Sequence, residues 1–178
     1  MSSRILVDEI EAKTGTGTVT VTAIVPEIDM YRLTANHNTN ATLTAWERID
    51  DASFTKVGTG MSVSSGIFTF PKTGVYKVTL FANIQNVGGD TSTTLVGEVS
   101  SDSGSNFDET IFLVVSDADS SNYAQSTVSG VGIVNVTDTS TFQFQAVGKS
   151  FSGSSTISGN TDKTRCGLLF ERVADAQT

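Results

Sequence analysis

Ser65-Gly66-Ile67-Phe68-Thr69-Phe70-Pro71-Lys72-Thr73-Gly74-Val75-Tyr76-Lys77-Val78-Thr79-Leu80-Phe81-Ala82-Asn83-Ile84 reads as a short strand, a tight turn and a long strand. Proline presets φ at the second position of a turn, and glycine accepts a positive φ at its end, so Pro71-Lys72-Thr73-Gly74 reverses the chain. From Tyr76 onward apolar and polar residues alternate, with Phe81 as the interruption. This puts Tyr76, Val78, Leu80, Ala82 and Ile84 on one face and predicts that this face is buried.

The same pattern extends in both directions. Upstream, strands are predicted at Met30–Ala35, Leu43–Ile49, Phe54–Val57 and Met61–Val63, with Asn36 to Asn40, Asp50-Asp51 and Gly58 to Gly60 as turns. Downstream they fall at Thr94–Ser100, Thr110–Val115, Ser126–Val136, Thr141–Val147 and Arg165–Val173, with Gly153 to Gly159 read as a turn. No window sustains an apolar period of 3.6, and no repeat suggests a solenoid or propeller. About ten short strands at this spacing make a single sandwich or barrel.

Composition agrees. The 178 residues include 48 Ser and Thr and only 17% charged residues, a balance that favours strands over helices. A chain of this length buries roughly 70% of its unfolded surface and needs neither disulfide nor metal to hold a core. The single Cys166 allows no internal disulfide. A net charge of −8, with only 11 scattered Lys and Arg, counts against phosphate-mediated nucleic-acid binding. No apolar run approaches the roughly 20 residues that would span a bilayer, so no membrane insertion is expected. The N-terminus turns acidic after Ile5-Leu6-Val7, which predicts no signal peptide and synthesis in a cytoplasm.

Residues 1–27 stand apart from 28–178. Ile5, Leu6, Val7 and Ile10 are set among charges, Thr14-Gly15-Thr16-Gly17-Thr18 breaks the chain, and Thr18 to Thr22 resumes a period of two. This reads as an extended arm with a joint, closed by Pro26, which cannot donate to a sheet ladder. Gly15 and Gly17 lack the strand–loop–helix frame and the Lys-Ser/Thr of a phosphate loop.

The run from Ser65 to Val78 resembles the signature of complement globular-head domains, which share the tumour-necrosis-factor-like jelly roll. There a strand ending Phe-x-x-Pro leads through a glycine turn to a tyrosine-bearing core strand. Arg165-Cys166-Gly167-Leu168-Leu169-Phe170-Glu171-Arg172 is similar to that family's last strand. The resemblance implies a jelly-roll β-sandwich forming a homotrimer packed along a threefold axis by aromatic residues. The candidates for core or axis are Phe68, Phe70, Tyr76, Phe81, Phe142, Phe144 and Phe170. No Gly-x-y collagen stalk precedes the domain, which departs from the animal members. The opening Ile-x-Val-Asp-Glu-Ile is similar to the start of many tailed-bacteriophage virion proteins. Trp46-Glu47-Arg48 with Gly58-Thr59-Gly60-Met61 resembles small marine-phage structural proteins.

These resemblances lead to an expectation: a non-enzymatic virion structural protein, made in the host cytoplasm and displayed on the particle. It would be a capsid decoration protein or a short fibre or appendage tip. Ile5, Leu6, Val7 and Ile10 would anchor the arm to a major capsid or tail protein by strand addition. The alternative is a carbohydrate-binding or adhesion module for host-surface glycans, with Trp46, Tyr31 or Tyr123 as a stacking platform. An enzyme is disfavoured, because His37 sits in a polar turn without a motif supplying an orienting carboxylate and a nucleophile. Cys166, in a strand pattern, reads as a buried structural thiol. No cofactor is expected. Asp117, Asp119 and Asn122 offer oxygen ligands for calcium, which some members of the resembled family hold, but they lack the glycine and distal glutamate of an EF-hand loop. Asn40-Ala41-Thr42 and Asn135-Val136-Thr137 match the glycosylation pattern, idle without a secretory route.

Overall fold

The computed structural model describes residues 26–51, 54–87, 90–116 and 123–178, and among them there are twelve strands and no helix. They form two antiparallel sheets laid face to face. The longest strand of the sequence pattern, β6 (Gly74–Val87), lies inside the seven-stranded sheet. Along one side it pairs with β9 (Tyr123–Val136) over its full length. Its other side is shared by β12 (Cys166–Ala174) and the short β11 (Thr156–Ile157). Beyond β12 come β1 (Ile28–Leu33) and then β2 (Trp46–Arg48) and β3 (Lys56–Val57), which share β1's outer side. The five-stranded sheet runs β4 (Ser62–Ser64), β5 (Ile67–Thr69), β10 (Gln143–Lys149), β7 (Ser92–Ser100), β8 (Asp108–Ser116).

The alternation read from β6 is the alternation of the core. Tyr76, Val78, Leu80, Ala82 and Ile84 are each fully buried between the sheets, with Leu95, Phe144, Leu168 and Phe170. Phe68 is at the centre of an aromatic group. Its ring lies 5.0 Å from Tyr31 and 5.2 Å from Phe170, which meets Phe144 edge-on at 5.7 Å. Edge-on contact sets the positive rim of one ring against the negative face of the next. The Tyr76 hydroxyl donates to the Lys72 carbonyl at 2.9 Å, tying the proline turn to the strand it introduces, and burial pushes its pKa up to about 12.

Two departures from the sequence reading have physical causes. Leu43–Ile49 is not one strand, because the segment passes between sheets. The Leu43 N–H donates to Ala146 in the five-stranded sheet, while Trp46–Arg48 pairs with β1 in the other. Strand β11 falls in the stretch read as a turn, since two residues flanked by Ser and Gly show no periodicity; it is held by Ile84 and His37.

The first described end of the sandwich carries buried charge. On β1 and just before it, Glu27, Asp29, Tyr31 and Leu33 alternate inward. Asp29 accepts from Arg48 Nε and Nη2 and from the Met61 N–H, while Glu27 accepts from the Gly60 N–H at 2.9 Å. Gly60 has φ 78°, and a Cβ there would fall 2.7 Å from Asp29 Oδ2, so this loop closes over the carboxylates only with glycine. Lys72 Nζ lies 2.6 Å from Glu27 Oε1, an ion pair without hydrogen-bond geometry. Burial alone would raise the Glu27 pKa, but Lys72 and the Gly60 N–H outweigh it and hold it below the usual carboxylate value. Glu27 therefore belongs to the sandwich and not to the preceding arm.

Candidate functional site

Among the described residues, strands β8 and β9 each end one sheet, and they lie side by side where the sandwich closes. Gly130 and Gly132 on β9 face Ile111 and Leu113 of β8; a Cβ at Gly130 would stand 2.8 Å from Ile111 Cγ2. Bare backbone on the inward side of β9 lets the two edges approach. Four large side chains of the two strands point outward: Phe112 is 61% exposed, Val114 42%, Val131 55% and Ile133 61%.

These four residues form two patches. Phe112 and Val114 stand on the solvent face of the five-stranded sheet, where Phe112 is directly opposite the buried Val96. Val131 and Ile133 stand on the solvent face of the seven-stranded sheet, opposite Thr79 and Lys77. From there the face continues through Leu169 and Glu171 of β12 to Met30 and Ile28 of β1, all half-buried. Lys77 Nζ pairs with Glu171 at 2.8 Å in the middle of it. This many apolar side chains turned outward on adjoining strands mark a contact surface.

The residues singled out from sequence fall in several places. Phe68, Phe70, Tyr76, Phe144 and Phe170 are internal, between the sheets. Phe142 is partly buried against the same core, and Phe81 alone of the seven lies on the solvent face of the seven-stranded sheet. Of the three residues offered as a stacking platform, the side chain of Tyr123 lies outside the described residues and the other two turn toward the core. Tyr31 is 3% exposed, donates to the Met61 carbonyl and lies under Arg48; Trp46 packs on Phe68 and donates Nε1 to the Leu43 carbonyl. Both are drawn inward because β1 and β2 lie over the core.

His37 contacts the Thr39 carbonyl and stands edge-on to Phe151, with its pKa lowered first by burial. Cys166 is fully buried, and burial pushes its thiol pKa up, away from the reactive thiolate. The Asn40 amide bonds both backbone groups of Phe151, and Asn135 those of Gln177. Ile5, Leu6, Val7 and Ile10 of the arm, and Asp117, Asp119 and Asn122, lie outside the described residues.

Of these outward residues the sequence offers Phe112 only as a further aromatic for core or axis, and it singles out none of Val114, Val131 and Ile133, though signals exist. Ile111-Phe112-Leu113-Val114-Val115 is apolar at every position, which marks a strand covered on both faces. Gly130-Val131-Gly132-Ile133 alternates small with large.

No protein-family model matches the sequence, and neither does any curated protein. Solved structures do match. Eiger TNF from S. frugiperda is similar with a TM-score of 0.63 at 10% identity, covering 85% of this chain and 94% of that one. Murine APRIL at pH 5.0 gives 0.61 at 10% identity, covering 83% and 99%. At this identity the likeness concerns the fold: the chain is an all-β sandwich with the tumour-necrosis-factor-like jelly-roll architecture.

Proposed function

We propose that this chain is a non-enzymatic structural protein of a tailed-bacteriophage virion, a homotrimeric jelly roll displayed on the particle surface. It serves as a capsid decoration protein or the tip of a short appendage, and the arm preceding Glu27 attaches it to a capsid or tail protein. The observation that carries the trimer is the pair of apolar patches flanking the β8–β9 edge. They are different surfaces of one molecule, so a contact between one and the other is heterologous, and with a threefold rotation between copies it closes into a ring of three. Phe112 and Val114 of one copy pack on the face that holds Val131, Ile133, Leu169 and Met30 of the next.

Attachment through the arm rests on its sequence. An extended strand adds to a neighbour's sheet through main-chain hydrogen bonds, and three arms on one trimer raise the effective concentration for docking. The net charge of −8 per chain keeps such a displayed trimer soluble. The test is a particle-binding assay. Particles stripped of the protein should recapture the full chain and not a form lacking residues 1–17. Equal recapture of the truncated form would remove the arm from the account, and absence of the chain from purified particles would remove the virion role.

A further inference from the structure

At one end of the solvent face of the seven-stranded sheet, six residues line an open depression of about 360 Å³. Phe81 and Asn83 come from β6, Gln125 and Thr127 from β9, and Thr164 and Arg165 from the segment entering β12. The sheet fixes their relative positions. Asn83 is directly opposite Thr127, and its backbone N–H donates to the Arg165 carbonyl at 2.8 Å. Gly167 is opposite Phe81, and a Cβ there would lie 2.5 Å from Phe81 Cζ, so the ring rests over bare backbone and floors the depression. The amides are held as well: Gln125 Nε2 donates to Asn83 Oδ1 at 2.6 Å, and Ser158 Oγ donates to the same oxygen at 3.0 Å.

The charge at this place is unusual for the chain. Nine Lys and Arg are described, and six of them pair with carboxylates: Arg32, Arg48, Lys72, Lys77, Lys149 and Arg172. Arg165 is exposed and makes no side-chain hydrogen bond or ion pair among the described residues, although the chain carries a net charge of −8. An open guanidinium fork, a row of fixed amides and hydroxyls, and an aromatic floor form a mainly polar concavity, in which the placed polar groups would fix a ligand's orientation.

We propose that the depression binds a sugar bearing a carboxylate. Arg165 takes the carboxylate through two parallel N–H donors, the geometry for which guanidinium is suited. Asn83, Gln125, Thr127 and Thr164 meet the ring hydroxyls, and Phe81 meets the apolar C–H face of the ring. A phosphate fits less well, since one cation lines the site and no helix N-terminus faces it. Thr127 is six residues from Ile133 along β9, about 20 Å at strand rise, while Phe81 is two residues from Thr79, about 7 Å, so the depression adjoins the proposed apolar contact at its Val131–Leu169 end. The site does not depend on the arm or on a particle.

Purified full chain is titrated with methyl glucuronide and with methyl glucoside, which differ only in carboxylate against hydroxymethyl. The glucuronide should bind with at least about a tenfold advantage, as a charge-assisted bidentate contact gives. Arg165→Gln should reduce it to the level of the glucoside with an unchanged thermal midpoint, and Arg165→Lys, which keeps the charge and loses the fork, should fall between. No binding of either sugar at about 20 mM, equal binding of both, or a preference that survives Arg165→Gln overturns the proposal. So does displacement by inorganic phosphate at the same concentration as the glucuronide, which would mark a simple anion site.

Discussion

Replacing Asp29 by Asn removes one charge from the end of the sandwich with almost no change of shape. Asp29 is 1% exposed. Its oxygens accept from Arg48 Nε at 2.9 and 3.1 Å and Arg48 Nη2 at 3.0 Å, and from the N–H groups of Met30 and Met61 at 3.0 and 2.8 Å. The two backbone donors sit on different oxygens, so whichever way the amide turns, its NH₂ meets an N–H donor. Arg48 meanwhile loses its counter-charge while still held by Tyr31 Oη and the Met61 carbonyl. Removing one partner of a buried pair costs about 3–5 kcal/mol. The Arg48 side chain is 30% exposed, so water recovers part of its share, and the lower figure, about 3 kcal/mol, is expected. For a domain of this size that is a fall of about 6–12 °C in Tm. Denaturant unfolding of wild type, Asp29→Asn, Arg48→Met and the double variant measures it, and the double variant should lose less than the sum of the singles. A single Asp29→Asn loss below about 1 kcal/mol, or additive losses, would refute the reasoning.

Three further outcomes follow from the same structure. Glu27 has a depressed folded pKa, so its contribution to stability is present above the unfolded value of 4.5 and lost as pH falls through the lower folded value. Unfolding across pH 2–7 should show that loss for wild type and not for Glu27→Gln. Phe112→Ser removes roughly 120 Å² of exposed ring from the proposed contact, worth about 3 kcal/mol or about 100-fold at each of the ring's three interfaces, and should move the trimer to monomer in ultracentrifugation while leaving the far-ultraviolet spectrum unchanged. Gly130→Val should open the β8–β9 edge and cost about 1–3 kcal/mol by overpacking against Ile111 and Leu113, read as a lower denaturant midpoint.

How far the sequence reveals the molecule depends on the element. The buried face of β6 was legible because one strand packs on the core from one side, and a period of two records that directly. The proline turn and the all-β architecture were legible for the same local reason. The crossing of residues 41–48 between sheets was not, because hydrogen bonds to Ala146 and to β1 are long-range pairings without local pattern. Aromatic residues invited assignment to an axis, yet five of the seven fill the interior; ring chemistry alone does not tell a core from a contact. What did encode the outward surface was the unbroken apolar run at 111–115 and the Gly-Val-Gly-Ile alternation at 130–133. The Arg165 depression joins β6, β9 and the entry to β12, which are brought together only by the sheet.

The most direct test of the proposed assembly is the solution mass of the purified full chain by multi-angle light scattering. The account predicts about 56 kDa, three times the 18.7 kDa chain, with a shift toward the single-chain mass in Phe112→Ser. A stable species of 18.7 kDa at all concentrations would contradict the ring contact, and with it the trimeric, surface-displayed role.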